Sequence, residues 1–294
     1  LAREGLEVDA HLVKVLGDPD NRKALDRFVE TTDRWLPGGA PPALGSRVRL
    51  PELAATLAAY RKQGPEGIAL GPAGAALEAT SKKYGGRLTA ADLAAYRPTW
   101  REPVRFSAFG WEMASMSLPS SGGTILGQTF GLLERLGYAD APKGSALRAH
   151  LLGESFRRAY SDRFRLADPT STEVTSAQLL EPAWLDRRAA SINKERATRS
   201  GDVYPWPGER PALPAAGGTP EPSDTTHLSV IDRDGNVVAL TTTINDLFGC
   251  GLWVPGAGIF LNNEMDDFAT APGKPNTWGL IQGEANAVAP GKKM

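Results

Sequence analysis

The chain has 294 residues with 33 basic and 34 acidic side chains, a formal charge of -1 and a pI of about 6.4. Both signs are scattered along it, which excludes the electrostatic footprint of a nucleic-acid or anionic-membrane binder and leaves small polar substrates as the default class. Cys250 is the only cysteine, so an intrachain disulfide and a cysteine-based metal cluster are excluded. No apolar run approaches the roughly 20 residues that span a bilayer, and the opening Leu-Ala-Arg-Glu-Gly has no signal-peptide pattern. The length suits one compact layered unit.

In chain order, Asp18 to Val29 reads as a short helix with an acidic start, broken by the Pro37–Pro42 stretch. Leu50-Pro51-Glu52 opens a better helix, with Pro51 in the first turn, Leu53, Leu57 and Tyr60 on one face and Gly64-Pro65 at its end. Thr89-Ala90-Ala91-Asp92 has capping-box spacing for another helix that stops before Pro98. Alternating Val104, Phe106 and Ala108, then Trp111 and Met113, predict a hairpin turning at Phe109-Gly110. Leu118-Pro119-Ser120-Ser121-Gly122-Gly123-Thr124 leads into an apolar helix from Ile125 to Leu136. It reads as an N-cap, with anion binding by free backbone N–H groups as the alternative. A long helix from Ser145 places Leu147, Leu151, Leu152, Phe156 and Tyr160 on one side, as if packed on a sheet.

The three histidines, His11, His150 and His227, have no metal-ligand spacing, so no metal and no cofactor are expected. From Ser200 to Asp224 there are six prolines and four glycines without hydrophobic periodicity, the composition of an exposed linker. After it comes the most strongly β-patterned run of the chain, Thr225–Ile231 and Val237–Asn245 around Asp234-Gly235. A two-residue loop would pair Thr225 with Ile244. A three-residue loop, Arg233-Asp234-Gly235 with Gly235 left-handed, pairs Thr225 with Thr243 and sets two hydroxyl side chains opposite each other.

At TTHLSVIDRDGN, TTTINDLFGCG, GIFLNNEMDDFATAPGKPN and GLIQGEANAVAPGKK, and upstream at LPSSGGT and AYSDRF, the chain resembles the γ-glutamyltransferase family of N-terminal-nucleophile hydrolases. The resemblance implies an α+β fold of the four-layer αββα sandwich type. It also implies a large-subunit-like part over 1–199, a linker over 200–224 and the start of a small-subunit-like part over 225–294, all in one structural domain. Family members normally carry segments before Leu1 and after Met294. These supply an arginine for the substrate α-carboxylate, a Ser-Ser pair and a Gly-Gly oxyanion hole, so the chain is expected to mature poorly without them.

The function so implied is γ-glutamyl transfer or hydrolysis on glutathione-like amides, with an amino acid, peptide or water as acceptor. Self-cleavage between Asp224 and Thr225 would leave a large and a small subunit as a heterodimer, and a periplasmic or secreted location rests on the resemblance alone. Thr225 would be the nucleophile, its freed α-amine the base, and Thr243 the hydroxyl that orients it. Asn245, Glu264 and Asp267 correspond to positions that hold the α-ammonium of the donor, where two carboxylates and an amide oxygen can satisfy three N–H donors. Read without the resemblance, Thr243 is an ordinary β-branched strand residue and residues 262–268 a solvated acidic turn. Cys250 is an alternative nucleophile, but Gly-Cys-Gly-Leu-Trp offers it no local base or cation. Two other functions stay open: a β-lactam side-chain acylase of the glutaryl cephalosporin type, and a catalytically silent homologue with a binding or structural role.

Overall fold

A computed structural model describes residues 1–206, 225–274 and 282–293. The described residues gather into two compact units. The first lies within Leu1–Thr99 and Pro222–Glu264, the second within Trp100–Glu221 and Met265–Met294. Helices dominate both, and the strands among the described residues form four antiparallel two-stranded sheets, an α+β arrangement. Among these residues no helix is long and apolar enough to cross a membrane.

In the first unit the expected helix at Asp18 spans Pro19–Leu25, with the Asp18 carboxylate accepting the Asp20 N–H at 2.9 Å, and Val29–Trp35 is a separate helix. Pro51 starts the helix Pro51–Gln63, which ends at Gly64 with φ 63°, and Thr89 with Asp92 forms the capping box of Ala90–Ala95. Of the residues read as sharing a face on Pro51–Gln63, Leu53 packs against the core, but Leu57 is 53% and Tyr60 49% exposed. Thr56 is buried instead, its hydroxyl donating to the Ala257 carbonyl at 2.7 Å. Thr31 does the same work one helix earlier: its Oγ1 donates to the Gly251 carbonyl at 2.7 Å and accepts the Trp253 N–H at 2.9 Å. Around these bonds Leu16, Leu25, Trp35, Leu36 and Trp253 form an apolar cluster, with Trp35 edge-on to Trp253 at 5.4 Å. The turn after Trp253–Val254 requires Gly258, at φ 74°, because a Cβ there would run into the backbone of Leu53.

In the second unit the strands Val104–Ala108 and Trp111–Ser115 pair with Ala108 opposite Trp111, and Phe109 and Gly110 both take positive φ, as a two-residue hairpin turn demands. The helix Gly122–Arg135 packs on that hairpin and on the helix Ala146–Arg163. Ser121 makes no capping bond, so the expected N-cap is not made; its hydroxyl instead accepts Arg163 Nε at 3.0 Å.

The long helix from Ser145 also corrects its sequence reading. Leu147, Phe156 and Tyr160 are exposed, and the buried face carries Leu151, Glu154, Ser155, Arg158, Ala159 and Asp162. Its neighbour is a helix rather than a sheet; Leu151 packs with Leu132, Leu133 and Leu136, and a polar network lies beside them. Asp162 accepts from Arg188, from Gln128 Nε2 at 2.7 Å, from Trp184 Nε1 at 3.0 Å and from the Trp206 N–H at 2.7 Å. Glu154 accepts from Arg157, from Arg158 at 2.6 Å, and from the backbone and hydroxyl of Thr198 at 2.9 and 2.6 Å. Residues 203–206, assigned to the linker by composition, are therefore packed, with Val203 buried and Trp206 against Trp184, while Ser200, Gly201 and Asp202 are exposed. The rest of that stretch, 207–224, lies outside the described residues.

Burial alone would raise the Glu154 pKa, but the hydrogen bonds from Thr198 and the Arg158 guanidinium outweigh it and lower the value from 4.5 to about 2. A carboxyl whose folded value lies below its unfolded value stabilises fully above the unfolded pKa and loses that contribution as pH falls through the folded one. The loss should thus run from about pH 4.5 to pH 2 and amount to about 3 kcal/mol. Acid titration followed by circular dichroism checks it: Glu154→Gln should flatten this limb, and an unchanged acid transition would show that the network carries no linkage.

Candidate active site

Past residue 224 the chain forms the hairpin Thr226–Ile231 and Val237–Thr242, in register from Ile231 opposite Val237 to Thr226 opposite Thr242. The loop is the three-residue one. The Asp232 N–H donates to the Asn236 carbonyl at 3.0 Å, the Gly235 N–H donates to the Asp232 carbonyl at 3.2 Å, and Gly235 has φ 84°. Asp232 braces this turn, accepting the N–H groups of Asp234 at 2.9 Å and Asn236 at 2.8 Å and the Asn236 amide at 2.8 Å, and these bonds hold its pKa below the usual carboxylate value. The ladder ends there; continued by one residue, the same register would set Thr225 opposite Thr243, on the face that carries His227, Ser229 and Thr241. Both threonines are exposed, while Asp224 lies outside the described residues.

The segment after Thr243 is held tightly. Thr243 Oγ1 accepts the Asn245 N–H at 2.9 Å, and Asn245, 6% exposed, takes the left-handed conformation with φ 74°. Asn245 Nδ2 donates to the Asn263 carbonyl at 3.1 Å, and the Asn263 N–H donates to the Ile244 carbonyl at 3.2 Å. The Asn263 side chain then accepts the Asp246 N–H at 3.0 Å and donates to the Asp246 carboxylate at 2.8 Å. This interlock brings Asn245 beside the residue that precedes Glu264. Glu264 and Asp267 begin and end a single 3-10 turn, Glu264–Asp267. Glu264 belongs to the first unit and Asp267 to the second, where the Asp267 carbonyl accepts Asn286 Nδ2 at 2.9 Å.

Sequence reading missed Asn263, whose backbone and amide together splice 244–246 to 263. Its only signal was a doubled asparagine before Glu264. It also passed over His227, whose ring nitrogens lie 2.8 Å from Thr241 Oγ1 and 3.3 Å from Ser229 Oγ. The signal there was strand alternation, which sets residue 227 on the face of residue 225. Cys250 is a half-buried free thiol whose N–H donates to the Leu261 carbonyl at 3.0 Å, and the adjacent Gly249, at φ 55°, leaves no room for a Cβ against that same carbonyl. His150 Nε2 donates to the Asn193 carbonyl at 2.7 Å, a structural contact.

Chemically, the described site offers a hydroxyl pair across a strand register, a rigid amide next to it and a carboxylate one residue beyond the interlock. The whole chain, residues 1–294, matches the family model for gamma-glutamyltranspeptidase. It is 39% identical over 247 residues to a glutathione hydrolase proenzyme of Pseudomonas aeruginosa, covering 83% of this chain and 42% of that protein. It is 35% identical over 295 residues to an acylase ACY 1 proenzyme of a Pseudomonas species, covering 100% of this chain and 48% of that one. The crystal structure of Helicobacter pylori gamma-glutamyltranspeptidase superposes with a TM-score of 0.65 at 28% identity, over 70% of this chain and 59% of that chain. The chain spans about half the length of the curated relatives it matches. On the match over its full length, the chain belongs to the gamma-glutamyltranspeptidase family.

Proposed function

We propose that the complete protein transfers or hydrolyses γ-glutamyl groups of glutathione-like amides through a threonyl ester on Thr225. The observation that supports this reading is the hairpin register, which ends at Thr226 opposite Thr242 and, continued by one residue, would face Thr225 with Thr243, whose hydroxyl accepts the Asn245 N–H. In the precursor, Thr225 Oγ attacks the Asp224 carbonyl; the peptide C–N bond breaks, an ester forms, and water hydrolyses it to free the Thr225 α-amine. That amine, with an ordinary pKa of about 7.7–8.0, then serves as base. It takes the Thr225 hydroxyl proton as Oγ attacks the γ-carbonyl, and passes the proton to the leaving amine as the amide C–N bond breaks. Water or an acceptor amine attacks the resulting ester and restores the threonine. Asn245, Glu264 and Asp267 hold the donor's α-ammonium. The four-layer αββα sandwich, with residues 1–199 large-subunit-like and 225–294 opening the small subunit, is the fold we assign to the mature heterodimer.

A second reading, a side-chain acylase of the glutaryl cephalosporin type, is favoured by the 35% identity to the acylase proenzyme. The two differ in the α-ammonium that only the γ-glutamyl donor carries. Turnover of a γ-glutamyl anilide against a glutaryl amide, measured on the complete protein, tests them. We expect kcat/KM to favour the γ-glutamyl compound by roughly a hundredfold, the worth of one or two charge-assisted bonds. Preference for the glutaryl amide would transfer the assignment to the acylase, and turnover of neither would leave a silent homologue.

A further inference from the structure

We infer that Asn245 is a positioning residue through its backbone: its left-handed conformation fixes the N–H that sets the polarity of the Thr243 hydroxyl. The inference rests on the proposed threonine chemistry and adds to Asn245 a role separate from any contact of its side chain with substrate. A threonine hydroxyl has one proton to donate and two lone pairs to accept with. The Asn245 N–H, 2.9 Å from Thr243 Oγ1, can only donate, so it occupies a lone pair and leaves the Thr243 proton for another acceptor. Continued one residue past Thr226–Thr242, the register would offer Thr225 as that acceptor, and its oxygen must be approached by a donor if its own proton is to be directed to the α-amine.

The conformation of Asn245 decides whether this N–H is in place. Ile244 is tied on one side by its carbonyl to the Asn263 N–H at 3.2 Å, and Asp246 on the other by its N–H to Asn263 Oδ1 at 3.0 Å. Between two such anchors the 244–245 peptide plane is determined by φ of residue 245, which is 74°. A side chain that resists positive φ would have to swing that peptide and carry the N–H away from Thr243. Asparagine tolerates the region and glycine enters it without cost, whereas alanine does not. Asn245 is also 6% exposed, with Nδ2 on the Asn263 carbonyl at 3.1 Å, so the same side chain locks its own backbone.

The test compares Asn245→Gly with Asn245→Ala in the complete protein. Both remove the amide, so KM for a γ-glutamyl anilide should rise equally, but kcat and the rate of scission before Thr225 should be about tenfold lower for alanine than for glycine, the cost of holding a Cβ at positive φ. The gap should persist in a Thr243→Ser background, which keeps the hydroxyl, and close in Thr243→Val, where nothing remains to be oriented. Melting temperatures report folding, and if Asn245→Ala does not fold, Asn245→Ser against Asn245→Gly makes the same comparison. Equal kcat for the alanine and glycine variants, or a gap that survives in Thr243→Val, would overturn the inference. Failure of the threonine chemistry itself looks different, because Thr225→Ala would then retain turnover in the same assay.

Discussion

Replacing Thr225 with alanine is expected to leave the complete protein a single uncut polypeptide and to reduce γ-glutamyl anilide turnover by a factor on the order of 10⁴ or more, since one hydroxyl is asked to attack in both steps. Thr225→Ser should retain both, at reduced rates, because it keeps the hydroxyl and the α-amine and loses only the methyl that holds the rotamer. Intact mass resolves the uncut chain from its two products, and anilide release reads turnover on the same sample. The hairpin should survive either change, because residue 225 is exposed and the register is set by the Asp232–Asn236 turn at its far end. Scission at Asp224–Thr225 in the alanine variant would remove Thr225 from the site.

The second large effect is on stability. Asp162→Ala takes away the shared acceptor of Arg188, Gln128, Trp184 and the Trp206 N–H, and strands a guanidinium that is itself buried. Breaking a buried pair from one side costs on the order of 3–5 kcal/mol, a fall in melting temperature of roughly 10 °C for a unit of this size. Asp186→Ala is the internal control: its carboxylate pairs with Arg135 at 2.6 Å but is 67% exposed, so its loss should cost less than about 1 kcal/mol. Equal melting temperatures for the two variants would show that Asp162 is not the keystone of the second unit.

Sequence reading found those elements whose signals are local. The caps at Asp18 and Thr89, the first-turn Pro51 and the turns at Phe109-Gly110 and Arg233–Gly235 each depend on a few adjacent residues, and each is where the pattern placed it. Faces were harder. The helix from Ser145 has aromatic residues on one side, yet it buries Glu154, Arg158 and Asp162, because distant partners, Gln128 and several residues within 184–206, are invisible to periodicity. Val203 and Trp206 were lost in a proline-rich composition for the same reason. At the proposed site, Thr225, Thr243 and Asn245 were picked out by hairpin arithmetic and family resemblance, whereas the interlock of Asn245 with Asn263, 18 positions on, depends on a chain reversal that no spacing announces.

The hydroxyl bonds of Thr31 and Thr56 reach across 220 and 201 positions to Gly251 and Ala257. On a ribosome that separation becomes time. At about 5–20 residues per second, the helices of the first unit emerge well before the strand that completes their core, and their apolar faces wait through the synthesis of nearly the whole second unit. Closing so long a loop also raises contact order, which makes docking of Trp253 against Trp35 a late and slow event. The hairpin from Thr226 to Thr242 is made just before that closing strand, so it emerges when the helices of the first unit are already waiting for Trp253.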